Sequence, residues 1–212
     1  MIQLKKMVFN SFQVNTYIIY DETGECIIVD PANYEPVEDQ ALSAFISEHN
    51  LVPVLNINTH CHIDHILGIN HVKQAFNVPF RAHENEEKLL SNAPLMGKVF
   101  GFNVGHLPAI DHFIGHGEVI AFGNSELRAI HVPGHSAGSL AFYAPGGEFA
   151  ITGDALFAGS IGRTDLPGGD YDTLIASISS NLFSLPPATT IWPGHGESST
   201  IGDEIANNTF FK

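Results

Sequence analysis

The sequence predicts an α/β layered sandwich, with two sheets packed together and helices outside. Three observations carry this class. Runs of β-branched and aromatic residues fall in two blocks, each followed by segments of helical spacing. The 212 residues fit a single domain, 1–212, with a sizeable core, and the 44% hydrophobic content is ordinary for a globular chain. No internal repeat, low-complexity tract or charged tail interrupts the pattern.

The first block opens with "IQLKKMVF", "VNTYIIYD" and "ECIIVDP", short strands bounded by turn residues, and "TGE" at 23–25 suits a hairpin turn. Residues 36–48 read as a helix with Val37, Leu42, Phe45 and Ile46 on one face. "VPVLNIN", 52–58, is a strand running into a cluster of histidines. A helix near 68–76, a short strand at 79–82 and a helix at 84–91 follow. Residues 93–117 are Gly-rich and read as irregular, a lid or an inserted loop. Strands resume at "EVIAF", "ELRAIHVP", "GSLAFYAP" and "EFAITGD". Asp170 is placed to cap a helix over 171–183, with Leu174, Ile178 and Leu182 on one stripe. "TTIWPGHG" is a last strand entering a last loop, and 200–209 a terminal helix.

Charge and composition exclude several partners. The net charge is -14, from 9 Lys+Arg against 23 Asp+Glu, which disfavours nucleic acid and anionic membrane. A small-molecule partner remains, and an anionic one would need a patch drawn from few basic residues. No apolar run approaches the ~20 residues that cross a bilayer. "MIQLKKMVFNSF" lacks the apolar h-region and cleavage site of a signal peptide. With two cysteines, Cys26 and Cys61, a reducing compartment is the simpler reading, so a cytoplasmic protein is expected. Cys26, inside a strand, reads as core packing.

The chemistry is concentrated in "NTHCHIDHILG", residues 58–68. His60 and His62 alternate with Cys61, and Asp64 and His65 follow. A strand-to-loop turn can aim the first pair at one cation and the second pair at another. A lone histidine is more often a packing or surface residue than a ligand, but four such groups in six positions favour metal. Three later strand ends complete the count: His135 in "HVPGHSAGS", Asp154 in "AITGDALF" and His195 in "IWPGHGE". His60, His62 and His135 then make one site, Asp64, His65 and His195 the other, and Asp154 can bridge them. Imidazole and carboxylate suit zinc, iron or manganese. Two cations sharing a carboxylate can hold a hydroxide between them, with its pKa lowered towards ~7.

These residues resemble the metallo-β-lactamase superfamily, through "THCHIDH", then "PGH" ending at His135, "TGD" ending at Asp154 and "PGH" ending at His195. The resemblance spans nearly the whole chain. It implies a four-layer αβ/βα sandwich with two divalent metal ions, zinc first and iron or manganese as alternatives, in the cleft between the sheets. It also implies that the seven residues just named are the ligands, with Asp64 and Asp154 catalytic. "TGDALFAGSIGRTDLPGGD" with "WPGHGE" is similar to the short form of glyoxalase II, hydroxyacylglutathione hydrolase, which lacks a long helical C-terminal domain. The implied reaction is hydrolysis of a small-molecule thioester such as S-lactoylglutathione by a metal-bridging hydroxide. The alternative is a persulfide dioxygenase, whose single iron would sit on His60, His135 and Asp154. A non-catalytic metal-binding protein is a weaker third reading, because structural sites are usually closed. The sequence assigns no oligomeric state.

Other residues have two readings each. Cys61 points away from the His60/His62 face in an extended segment and reads as packing ahead of ligation. Arg163 in "SIGRTD" is either a bidentate anchor for a substrate carboxylate or the ion-pair partner of Asp165. Thr59 supports the turn. Asp30 is either an acceptor for a ligand imidazole or a turn residue before Pro31. His49, His71, His83, His106, His112, His116 and His131 read as surface or packing residues. His106, His112 and His116 could also line the cleft, and Phe100 and Phe102 could cover a substrate if the middle segment is a lid.

Overall fold

The computed structural model describes residues 1–212. The first sheet has the order β1 (Gln3–Phe9), β2 (Val14–Tyr20), β3 (Glu25–Val29), β4 (Val52–Ile57), β5 (Phe80–Ala82), β6 (His112–Phe113). Its first three strands are antiparallel neighbours and the rest pair in parallel. Between the parallel strands run α1 (Pro36–Glu48), α2 (Ile69–Phe76), α3 (Glu87–Ser91) and α4 (Ala93–Phe100). The second sheet holds β7 (Val119–Phe122), β8 (Ser125–His131), β9 (Leu140–Ala144) and β10 (Phe149–Gly153), which pair in sequence. A small hairpin, β11 (Leu156–Phe157) and β12 (Ser160–Ile161), and helix α5 (Tyr171–Ser177) then lead to β13 (Thr190–Pro193), which is parallel to β10. β14 (Ser199–Thr200) and α6 (Ile201–Asn207) complete the chain's named elements.

Alternation along the strands produces the layers. Tyr17, Ile19, Ile27 and Val29 point from sheet one into a core shared with Leu127, Ala129, Phe142 and Ile151 of sheet two. Their neighbours Ile18, Cys26 and Ile28 point the other way, against Leu42 and Ile46 of α1 and Val72 of α2. On sheet two, Ala141 and Ile191 face outwards onto Leu174, Ile178, Leu182 and Ile201. Each sheet is therefore covered on both faces, which is why apolar residues occupy both faces of Tyr17–Tyr20 and Cys26–Val29. The result is the expected four-layer αβ/βα sandwich. No helix is long and apolar enough to cross a membrane.

The structure corrects four readings. Residues 93–117 are not one irregular loop: 93–100 form α4, with Pro94 in the first turn where its missing N–H is not needed, and His112–Phe113 add an edge strand to sheet one. Val37 is 69% exposed and leaves the α1 stripe, since five residues separate it from Leu42, about 140° around the helix. The helix begun at the Asp170 cap changes after Ser177 into a π-helical turn, Ile178–Leu182, although the predicted stripe is buried throughout. Three strands were missed: β11, β12 and β14 have two residues each, too few for a period-two signal.

Phe142 is fully buried at the centre of the inter-sheet core. Phe142→Ala is expected to destabilise the protein by about 3–5 kcal/mol, read as a lower midpoint in urea unfolding. A change below about 1 kcal/mol would contradict this placement of the core.

Candidate metal centre

β4 delivers Asn58, Thr59 and His60 to one end of the sandwich, and Asp64 and His65 follow in a single 3-10 turn. Asn58 sets the turn by donating from Nδ2 to the His65 carbonyl at 2.9 Å. His135 comes from the β8–β9 connection, Asp154 directly after β10 and His195 directly after β13. The sheets are tied together at this end. Asn15 N–H donates to the Gly194 carbonyl at 2.7 Å and Leu140 N–H to the Thr59 carbonyl at 2.8 Å. The Tyr17 hydroxyl donates to the Pro193 carbonyl at 2.6 Å.

All seven candidate ligand residues meet here. His60 Nε2 and His62 Nδ1 lie 3.2 and 2.8 Å from His135 Nε2. His65 Nε2 is 3.3 Å from His195 Nε2, and Asp64 Oδ2 is 3.4 Å from His195 Nε2. Asp154 stands between the trios, with Oδ1 3.4 Å from His65 Nε2 and Oδ2 3.5 and 3.7 Å from the Nε2 atoms of His195 and His135. Ligands ~2.0–2.1 Å from a tetrahedral cation lie about 3.3–3.4 Å from one another, close to these spacings. Asp154 Oδ1 and His62 Nε2 are buried without a hydrogen-bond partner. A donor set of imidazole and carboxylate, with Asp154 Oδ1 orphaned at its centre, fits divalent zinc, iron or manganese.

Acceptors behind the rings aim them. His135 Nδ1 donates to the Arg163 carbonyl at 2.8 Å and His195 Nδ1 to the Phe12 carbonyl at 3.0 Å. A carbonyl only accepts, so Nδ1 carries the proton in both and Nε2 faces the centre. His65 Nδ1 donates to Asp30 Oδ2 at 3.1 Å. Asp30 also accepts from the Thr59 N–H and hydroxyl at 2.7 and 2.6 Å, and that hydroxyl lies 3.1 Å from His60 Nδ1. Of the two readings of Asp30, the structure displays the acceptor behind a ligand imidazole. Asp30 groups spatially with His60 and His65, but from the side of their outer nitrogens. Close approach dictates Gly194, where a Cβ would stand 2.1 Å from Asp154 Oδ1 and 2.7 Å from His65 Cε1.

The remaining candidates fall outside the two trios. Cys61 is buried among Ile63, Ile66 and Phe80, and burial pushes its thiol pKa up. The Arg163 guanidinium forks onto Asp165 with both bonds at 2.8 Å, and its carbonyl accepts from His135. His49 stacks on Phe45, His83 on His131, and His71 bonds Ser43. His106, His112 and His116 join neither trio. Phe100 and Phe102 both pack on Phe12, at 5.7 and 5.6 Å between ring centroids.

Three contributors gave no signal in the sequence. Asn10, in the β1–β2 turn, donates from Nδ2 to the Asp64 carbonyl at 3.0 Å. Phe12 acts through a backbone carbonyl, which any residue carries. Glu86 is one acid among several in "HENEE", yet it is fully buried.

The trios differ electrically. Burial lowers the pKa of His60 and His135 and pushes His62 down to about 4, so the three-histidine group is neutral at pH 7. Burial acts the same way on His195, but Asp154 and Asp64 outweigh it and raise His195 to about 9. His65 is likewise raised against burial by Asp154 and Asp64. Burial would raise the two carboxyls, and His65 overcomes it, holding Asp64 below and Asp154 well below the usual range.

The sequence matches the family described as Metallo-beta-lactamase superfamily over residues 10–195. A relative from Bacillus subtilis (strain 168), "Probable metallo-hydrolase YqgX", is 36% identical over 209 residues, 97% of this chain and 96% of that protein. "Hydroxyacylglutathione hydrolase GloC" from Haemophilus influenzae is 35% identical, over 94% and 93% of the two chains. Among solved structures, the BLEG-1 B3 metallo-β-lactamase superposes with a TM-score of 0.90 at 31% identity, over 99% of this chain and 100% of that one. TTHA1623 in a di-iron-bound form superposes at 0.87 with 34% identity, over 97% and 99%.

Protons on His65 and His195 occupy the place a cation would take. His195 is protonated below about 9, so metal entry there displaces a proton at neutral pH, and affinity rises as pH climbs towards 9. Zinc calorimetry at pH 7 in buffers of different ionisation enthalpy is expected to show at least two protons released per chain, from His65 and His195, with none from the neutral trio and any further proton from metal-bound water. Zero release would contradict the protonated state of His65 and His195.

Proposed function

Because this chain belongs to the metallo-β-lactamase superfamily and is a metallo-hydrolase of that superfamily, we propose that it is a two-metal hydrolase acting on small-molecule thioesters such as S-lactoylglutathione. In this reading His60, His62 and His135 hold one divalent cation, Asp64, His65 and His195 hold the other, and Asp154 bridges them. One observation carries it: two separate trios share the Asp154 carboxylate, whose Oδ2 lies 3.5 Å from His195 of one trio and 3.7 Å from His135 of the other. A complete second trio favours two cations over the single iron of a persulfide dioxygenase. The hydroxyacylglutathione hydrolase named among the relatives supports the thioester as substrate class. The di-iron form of a neighbour keeps iron beside zinc as a candidate.

Bound cations would supply a water acidic enough to ionise near neutral pH and a positive field for a carbonyl oxygen. The chain's own residues do the rest. Asp64 and Asp154, held ionised, accept hydrogen bonds from a water between the trios and orient it. The outer acceptors Asp30, Arg163 O and Phe12 O keep the imidazoles from rotating. A thiolate leaves readily, so the site requires no separate acid for the leaving group.

Metal-reconstituted protein is expected to release thiol from S-lactoylglutathione, and Asp154→Ala to lose about 100-fold or more in rate together with metal content. His195→Ala is expected to lose a comparable factor and one cation per chain. Thiol release that survives either substitution would overturn the two-metal mechanism. Oxygen uptake with glutathione persulfide, or cleavage of a β-lactam, in place of thioester hydrolysis would reassign the substrate.

A further inference from the structure

Behind the three-histidine group lies a buried acid that the reaction does not use. Glu86 has no exposed surface and sits in the short 3-10 turn ahead of α3. Its Oε2 accepts from the Cys61 N–H at 2.6 Å, and its Oε1 from the Ser136 hydroxyl at 2.7 Å and the Gly138 N–H at 2.8 Å. Cys61 stands between His60 and His62, and Ser136 follows His135. One carboxylate therefore grips both segments that supply this trio.

We propose that Glu86 is a positioning residue that holds the His60–His62 segment and the His135 loop in the register that lets their three imidazoles meet. The inference rests on the metal-centre reading given above. It also accounts for "HSAGS", residues 135–139. A Cβ at Gly138 would fall 2.7 Å from Glu86 Oε1, so the N–H can reach the carboxylate only from a glycine. Ser139 Oγ takes the Ser136 N–H at 3.1 Å and lies 2.7 Å from Ser136 Oγ, which orients the hydroxyl towards Glu86. All three groups on Glu86 are donors, which suits a carboxylate with two accepting oxygens. A glutamine in its place keeps the shape but turns an N–H₂ towards an N–H or hydroxyl, and one contact is lost.

The test uses the full chain in a His195→Ala background, which leaves the three-histidine group intact. Cobalt affinity is read by chelator competition and the ligand field by absorption. Glu86→Gln is expected to weaken binding 10–100-fold and to shift the cobalt bands. Glu204→Gln is the control for lost packing. Glu204 is also buried, but accepts from Gly159 N–H, Ser199 and Asn208, none of them next to a trio histidine. It is expected to lower the unfolding midpoint and leave cobalt affinity and spectrum unchanged. Affinity within threefold of the parent in Glu86→Gln, or an equal loss in Glu204→Gln, would overturn the positioning role. A parent that binds no cobalt overturns the metal-centre reading, and the assignment of Glu86 with it.

Discussion

The end of the sandwich is governed by repulsion. Ring nitrogens and carboxylate oxygens whose lone pairs aim at common points are held 2.8–3.7 Å apart, a spacing they would not keep unaided. A proton or a cation has to lie between them, and a rigid frame has to keep the rings from turning away. Tethers behind the rings provide that frame: Asp30 through His65 and Thr59, the Arg163 carbonyl through His135, and the Phe12 carbonyl through His195. The frame in turn needs the strand ends fixed, which is the role of the hydrogen bonds that join the two sheets at Asn15, Tyr17 and Leu140.

The two halves of the centre solve the same problem with different charge. The three-histidine half is uncharged and buried, so its attraction for a cation comes from lone pairs and from Asp154 alone. The other half adds the carboxylate of Asp64, and its histidines stay protonated until something displaces the protons. Asp154 belongs to both halves, since its Oδ2 lies between His195 on one side and His135 on the other while its Oδ1 reaches His65. This asymmetry suits a site where one end polarises and the other receives charge as a bond breaks.

Much of this was legible in the chain, and for identifiable reasons. The seven candidate ligands announce themselves because four crowd into six positions after one apolar strand and the other three each follow a glycine at a strand end. The layers were legible because both faces of β2 and β3 are covered, which leaves the short apolar runs Tyr17–Tyr20 and Cys26–Val29. What stayed hidden acts without a distinctive residue type. The Phe12 carbonyl could belong to any residue, and Glu86 is disguised by the acids around it. Asp30 was ambiguous because an acid before Pro31 fits a turn equally well, and only the fold brings Thr59 and His65 to it. Helix α4 was obscured by Gly97 and Gly101, which read as loop until Ala93, Leu90 and Phe102 are seen sharing a core with Cys61 and Ile66.

The tether between Phe12 and His195 joins positions 183 residues apart in the chain. During synthesis the three-histidine set has its tether once residue 163 has emerged, whereas the other set waits for residue 195 and then for closure against a turn made near the start. Contacts of such long sequence separation are slow to form, because most of the loop-closure entropy must be lost before they contribute. The two halves of the centre are therefore unequal in sequence separation as well as in charge: one closes within residues 60–163, and the other needs a contact that spans 183 residues of the chain.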